Sequence, residues 1–171
     1  MSDQSVEPAE GVAEEADAEV RWLDPDERSA WMTFSALMFK LPAALDFQLQ
    51  RDSGLSHFEY LVLAGLSEAA DGMRRMSDLA GFANGSLSRL SHVVKRLEQR
   101  GWVQRRPSEE DGRITVAVIT EAGFEQVVAA APSHVTTVRE YVIDALTPAQ
   151  LRQLREIGEQ VLDRVDPGRS C

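Results

Sequence analysis

Nine of the 18 basic residues fall between Arg74 and Arg113, where only five acids stand, in a chain of 171 residues whose formal net charge is −10. Residues 1–24 carry eight acids against one base and so account for −7 of that total. A basic island in an acidic chain is the electrostatic footprint of a polyanion-binding element, and the alternative is a solvated charged surface. Catalytic chemistry finds less support. The one cysteine, Cys171, is the last residue, which leaves no disulfide framework and no cysteine-built zinc site. His57, His92 and His134 share no metal-ligand spacing, and no nucleophile–base pair stands out, so neither a metal, a cofactor nor an enzyme activity is expected. His92 falls in the island and reads as a hydrogen-bonding residue, with a pH switch as the alternative; His57, at a helix start, reads as a surface or phosphate-contacting residue, and His134 as structural.

The island has a periodicity. From Ser86 a helix is expected to run to Arg100, with Leu87, Leu90, Val94 and Leu97 on the face that holds it in the protein. Ser88, Arg89, Ser91, His92, Lys95 and Arg96 then occupy the opposite surface. Arginine can read a guanine edge with two bonds, and serine and lysine can serve bases or phosphates. Before this helix, Ser77 is expected to cap a short helix over 78–82, and Asn84-Gly85 to break it. After it, Trp102–Pro107 and Ile114–Ile119 read as two strands around a polar tip, Ser108 to Arg113, with Asp111-Gly112 as the turn signal. Short helix, tight turn, basic helix and hairpin together make a winged helix-turn-helix.

Helices flank that unit. Asp24-Pro25-Asp26-Glu27 opens one whose apolar stripe runs from Trp31 and Phe34 to Leu49, with a kink expected at Pro42. Ser56 to Glu59 starts the next, Thr120 a long one bent at Pro132, and Thr147 to Gln150 the last, with Leu151, Leu154, Ile157 and Val161 on its apolar side. The expected architecture is mainly α (α+β), a winged helix-turn-helix with a flanking helical dimerisation lobe. Residues 1–23 are expected to form an acidic, disordered tail, 24–54 and 120–168 the dimerisation region, and 55–119 the DNA-binding lobe. No apolar run approaches the ~20 residues needed to cross a bilayer, and the first residues lack a signal-peptide layout; a cytoplasmic protein without membrane association is expected.

Several segments resemble a known family. Met76-Ser-Asp-Leu-Ala80, Leu90-Ser-His-Val-Val-Lys-Arg-Leu-Glu-Gln-Arg-Gly-Trp-Val103, Asp111-Gly-Arg113 and Ile119-Thr-Glu-Ala-Gly123 are similar, in order and spacing, to the multiple antibiotic resistance regulator (MarR) family. The resemblance covers residues 24–165 in element order and is sharpest over 76–123. It implies a homodimeric transcription factor, usually a repressor released by a small ligand or oxidant, with dimer contacts from the first and last helices. It places Ser86, Ser88, Arg89, Ser91, His92, Lys95 and Arg96 at duplex DNA, Arg113 in the minor groove and Asp111 as its orienter. Two readers related by a two-fold axis imply a near-palindromic operator. Trp31, Phe34, Phe58 and Tyr60 are candidates to line a cleft for a small aromatic or apolar effector, or else pack in the core. Members that sense peroxide through a cysteine near the start of the first helix are not matched here. A winged-helix protein–protein adaptor is the competing reading, though it would favour an acidic or neutral helix.

Overall fold

A computed structural model describes residues 20–167, so most of the expected acidic tail lies outside the described residues. Asp24 caps α1 (Pro25–Ser53): its Oδ1 accepts the Asp26 and Glu27 N–H groups at 2.8 Å each, while Glu27 Oε2 accepts the Asp24 N–H at 3.0 Å. The helix carries Pro42 without ending there. The chain divides into two compact units at Ala36/Leu37, and everything from the later part of α1 onward belongs to the second.

That second unit is built on α2 (His57–Ser67), started by a capping box between Ser56 and Glu59. Gly72, at φ +67°, turns the chain into β1 (Met73–Arg75), a strand absent from the sequence reading. Three residues are too few for any alternation to show, and β1 exists because Met73, Arg74 and Arg75 pair with Val118, Ala117 and Val116. It also corrects the cap of α3 (Met76–Phe82). The strand runs straight into the helix, the cap position falls on Arg75 with no side-chain bond, and Ser77 lies in the first turn donating to Asp78 Oδ1 at 2.9 Å.

Asn84 takes the left-handed conformation at φ 51°, and a Cβ on Gly85 would stand 2.5 Å from the Phe58 ring. This close turn delivers α4 (Leu87–Gln99), whose cap Ser86 accepts the Arg89 N–H at 3.2 Å. Its buried face is Leu90, Val93, Val94 and Leu97. Leu87, expected inward, is 54% exposed, because among the described residues no element covers the first turn of α4, and Val93 is buried in its place.

Strands β2 (Val103–Pro107) and β3 (Thr115–Ile119) complete a three-stranded antiparallel sheet in the order β1-β3-β2. Trp102, half-buried, precedes β2, with the Arg100 guanidinium 4.9 Å above its ring. Thr120 caps α5 (Glu121–Val138), which passes into a single wide π-helical turn at Arg139–Ile143. Thr147 and Gln150 form the capping box of α6 (Pro148–Val165). The core joins Leu49 of α1, Val62, Leu63 and Leu66 of α2, Leu79 of α3, Leu90, Val94 and Leu97 of α4, and Val103 and Ala117 of the sheet. Helix α6 buries none of its residues. Among the described residues no helix is long and apolar enough to cross a membrane.

Candidate nucleic-acid interface

The buried stripe of α4 leaves Ser88, Arg89, His92, Lys95 and Arg96 exposed and Ser91 half-buried. These residues differ in what holds them. The Arg89 guanidinium lies 4.2 Å over the Phe58 ring, a stack that orients the fork while its N–H edges stay free. Arg96 is instead tied inward: its Nη2 is 3.2 Å from Glu59 Oε1, a carboxylate whose side chain is 5% exposed. Glu59 also accepts from the Ser56 N–H at 2.8 Å and its hydroxyl at 3.0 Å, so Arg96 completes the capping box of α2.

The same sorting extends to the whole basic island. Arg74 donates to the Gly65 carbonyl at 2.6 Å and Arg100 to that of Gly54 at 3.3 Å. Arg75 faces Glu110 at 3.6 Å, Arg106 faces Glu109 at 3.7 Å, and Arg105 meets Glu98 at 2.6 Å. Arg89, Lys95 and Arg113 remain, with no carboxylate within ion-pair distance among the described residues. Two stand on α4 and one on the hairpin tip.

The Glu98–Arg105 contact ties α4 to β2. Arg105 donates through Nε at 2.9 Å, Nη2 at 2.6 Å and its backbone N–H at 3.0 Å, and these bonds hold the Glu98 carboxyl below the usual carboxylate range. The base of the wing is thereby fixed to the last turn of α4. Spacing in the sequence gave no sign of this pair, since its seven-residue separation crosses a helix end and a strand start.

At the tip, the Ser108 N–H donates to the Ile114 carbonyl at 2.7 Å and the Ile114 N–H to that of Asp111 at 2.9 Å. Asp111 Oδ1 accepts the Arg113 backbone N–H at 3.0 Å. That bond is the turn contact anticipated for Asp111; it reaches the Arg113 main chain and not its guanidinium, which is exposed and has no carboxylate within ion-pair distance among the described residues.

The four aromatic candidates are divided. Trp31 and Phe34 are 52% and 39% exposed, their rings 6.5 Å apart in the first unit. Phe58 and Tyr60 are buried in the core of the second. Phe58 floors a cleft of about 570 Å³ edged by Pro42, Asp46, His57, Asn84 and Arg89. Tyr60 points inward, its ring centroid 4.4 Å from that of His134.

His134 is structural, as its sequence context suggested. Its Nδ1–H donates to Gln48 Oε1 at 3.0 Å, and Gln48 Nε2 reaches Asp52 at 2.9 Å and Ser133 at 3.2 Å, a polar tie between α1 and α5. Burial, then the neighbouring His57, pushes the His134 pKa down; burial also lowers His57, partly opposed by Asp46. His57 is half-buried, with its backbone N–H on Asp46 Oδ1 at 2.8 Å. Among the described residues no cluster of three or more potential ligands could hold a metal ion.

Residues 55–115 match the MarR family. The structure is similar to that of Sco3205 from Streptomyces coelicolor, a MarR family transcriptional regulator determined in complex with DNA, with 40% identity, 89% of this chain and 95% of that chain covered, and a TM-score of 0.84. It is also similar to AbsC, a MarR family transcriptional regulator from the same organism, at 38% identity over 85% of this chain and 98% of that one, with a TM-score of 0.81. The transcriptional repressor MprA of Escherichia coli is 24% identical over 119 residues, 70% of this chain and 67% of that protein.

Proposed function

The chain belongs to the MarR family of transcriptional regulators, and from that premise we propose that it binds a near-palindromic DNA operator as a homodimer, with α4 in the major groove and the hairpin tip in the minor groove. The carrying observation is the division of the basic island. Arg74, Arg96, Arg100 and Arg105 are bonded within the protein and Arg75 and Arg106 stand at longer range from exposed glutamates, while Arg89, Lys95 and Arg113 have no carboxylate partner among the described residues. Arg89, oriented by Phe58, suits a guanine edge. Lys95 suits a phosphate, and Arg113, on an exposed tip, suits the concentrated negative potential of a narrow minor groove. Ser86, Ser88, Ser91 and His92 supply shorter polar contacts. That Sco3205, similar to this chain, forms a complex with DNA supports the DNA-binding reading.

Helix α6 supports the dimer reading. A helix with no buried residue that carries Leu154, Ile157, Val161 and Leu162 at 40–57% exposure presents an apolar stripe needing a partner. A two-fold pair of readers then spans half-sites centred about 10 base pairs apart, or a multiple of a turn. The cleft over Phe58 is where a small aromatic or apolar effector would sit. There it would share Arg89 with the DNA, which is a route from ligand to release and to repression of the kind named for MprA.

The test is selection of bound duplexes from a random pool, followed by footprinting and light scattering. A symmetric footprint bound by a particle of about twice 18.9 kDa is the expected result. Ile157→Lys should give monomers that have lost operator affinity. A wild-type protein that recovers no duplex at low salt is an adaptor and not a DNA reader.

A further inference from the structure

We infer that Arg75 and Arg106 form a second phosphate clamp, on the outer face of the wing sheet, held shut in the free protein by Glu109 and Glu110 of the wing loop. The inference rests on the DNA-binding reading above. Val116 in the central strand stands opposite Arg75 in β1 and opposite Arg106 in β2. Residues opposite one another on a ladder project to the same side, so the three form one row with an arginine at each end, their Cα atoms about 10 Å apart from the strand spacing. The adjacent row, Arg74–Ala117–Arg105, points the other way: Ala117 is fully buried, Arg74 reaches α2 and Arg105 reaches α4. Arg75 and Arg106 therefore face away from the recognition helix, into a cavity of about 350 Å³ over Val116.

What holds them there is weak. Glu110 stands 3.6 Å from Arg75 and Glu109 3.7 Å from Arg106, both beyond ordinary hydrogen-bond length, with the glutamate side chains 85% and 84% exposed. The one further contact given by Arg106 is a 3.6 Å approach to the Met73 sulfur. Asp71 and Asp78 also line the cavity, where they accept the Met73 N–H and the Ser77 hydroxyl and form no ion pair with either arginine among the described residues. Long, exposed ion pairs contribute little and exchange readily. The contrast with Arg105, held by three short bonds to Glu98, separates a fixed arginine from two that are only parked.

A wing in a minor groove has a phosphate strand on either side. With α4 on the inner side, the outer face meets the strand flanking the operator. Those phosphates would take the place of the two carboxylates. Glu109 and Glu110 then act as a built-in competitor that subtracts from flank affinity.

The test uses two duplexes with the same selected operator, one trimmed at the wing contact and one extended by about a helical turn on each side. Glu109→Gln/Glu110→Gln should bind the extended duplex several-fold more tightly than wild type. Its log–log salt slope should be steeper on the extended duplex than on the trimmed one by about 0.9 for each phosphate contacted, hence about 1.8 per protomer. On the trimmed duplex it should match wild type. Adding Arg75→Gln/Arg106→Gln should abolish the gain while leaving trimmed-operator binding intact, which also shows that the variant folds. An equal gain on both duplexes, or a gain that persists without the two arginines, would overturn the clamp. Failure of wild type to bind the trimmed operator at any salt would instead overturn the DNA-binding reading itself.

Discussion

Arg89 and Arg96 lie on the same exposed face of α4, yet the structure predicts opposite consequences for their removal. Arg96→Ala leaves Glu59 buried without its charge partner. Breaking a buried pair costs about 3–5 kcal/mol, but Arg96 is 56% exposed and Glu59 keeps two bonds from Ser56, so solvent screening brings the expected loss to about 1–2 kcal/mol. Arg89→Ala removes a stack on Phe58 worth about 0.5–1 kcal/mol at an exposed site, so folding stability changes little. Operator affinity reverses the order. Losing a base-reading arginine costs roughly 1–3 kcal/mol and relaxes discrimination at one position, while losing Arg96 weakens all sequences alike or not at all. The assay is urea unfolding at fixed protomer concentration, because a dimer's stability depends on it, paired with binding to single-base operator variants. Glu59→Gln supplies the control: with no buried charge to strand, a further Arg96→Ala should cost about 1 kcal/mol less than it does in wild type. An Arg96→Ala protein with unchanged stability and altered base preference would refute the assignment.

Arg113→Ala should weaken operator binding and erase preference for A·T-rich flanks without touching central discrimination; Asp111→Ala, which only releases the Arg113 N–H, should lose less, as a flank-swapped operator series can show. His134 and His57 titrate below the ordinary 6.5 in the folded chain because of burial, so the unfolded chain takes up protons first. Stability is then complete above about pH 6.5 and falls as the pH drops through that value toward the lower folded ones. His134→Asn, which keeps a donor near Gln48, should flatten that fall in melts between pH 7.5 and 5, and an undiminished slope would count against the buried imidazole. Gly123→Ala would place a methyl 2.1 Å from the Trp102 carbonyl oxygen, a clash with main chain that cannot swing aside. The expected cost of about 1–3 kcal/mol appears as a melting temperature lowered by roughly 2–12 °C.

Much of this architecture is a local property and could be read along the chain. Capping boxes at Ser56–Glu59 and Thr147–Gln150, the turn at Asn84-Gly85 and the caps Ser86 and Thr120 act within four residues, so residue order by itself determined where most helices begin. The clustering of bases likewise marked the candidate interface, and four motifs marked the family. What the chain could not announce is which charges are spoken for. Arg96 and Lys95 are neighbours with the same formal charge, and only the packing of α4 on α2 brings Glu59 beneath one of them. Strand β1 has no pattern of its own and is made by Val116, Ala117 and Val118, more than forty residues later. Leu87 carries the right spacing for burial and finds nothing above it, while Phe58 becomes a platform for Arg89 because Gly85 lets the turn come close. Hydrogen-bonded periodicity is short-range and is written in the order of residues; ion pairing and burial depend on distance in space, and tertiary contacts alone decide them.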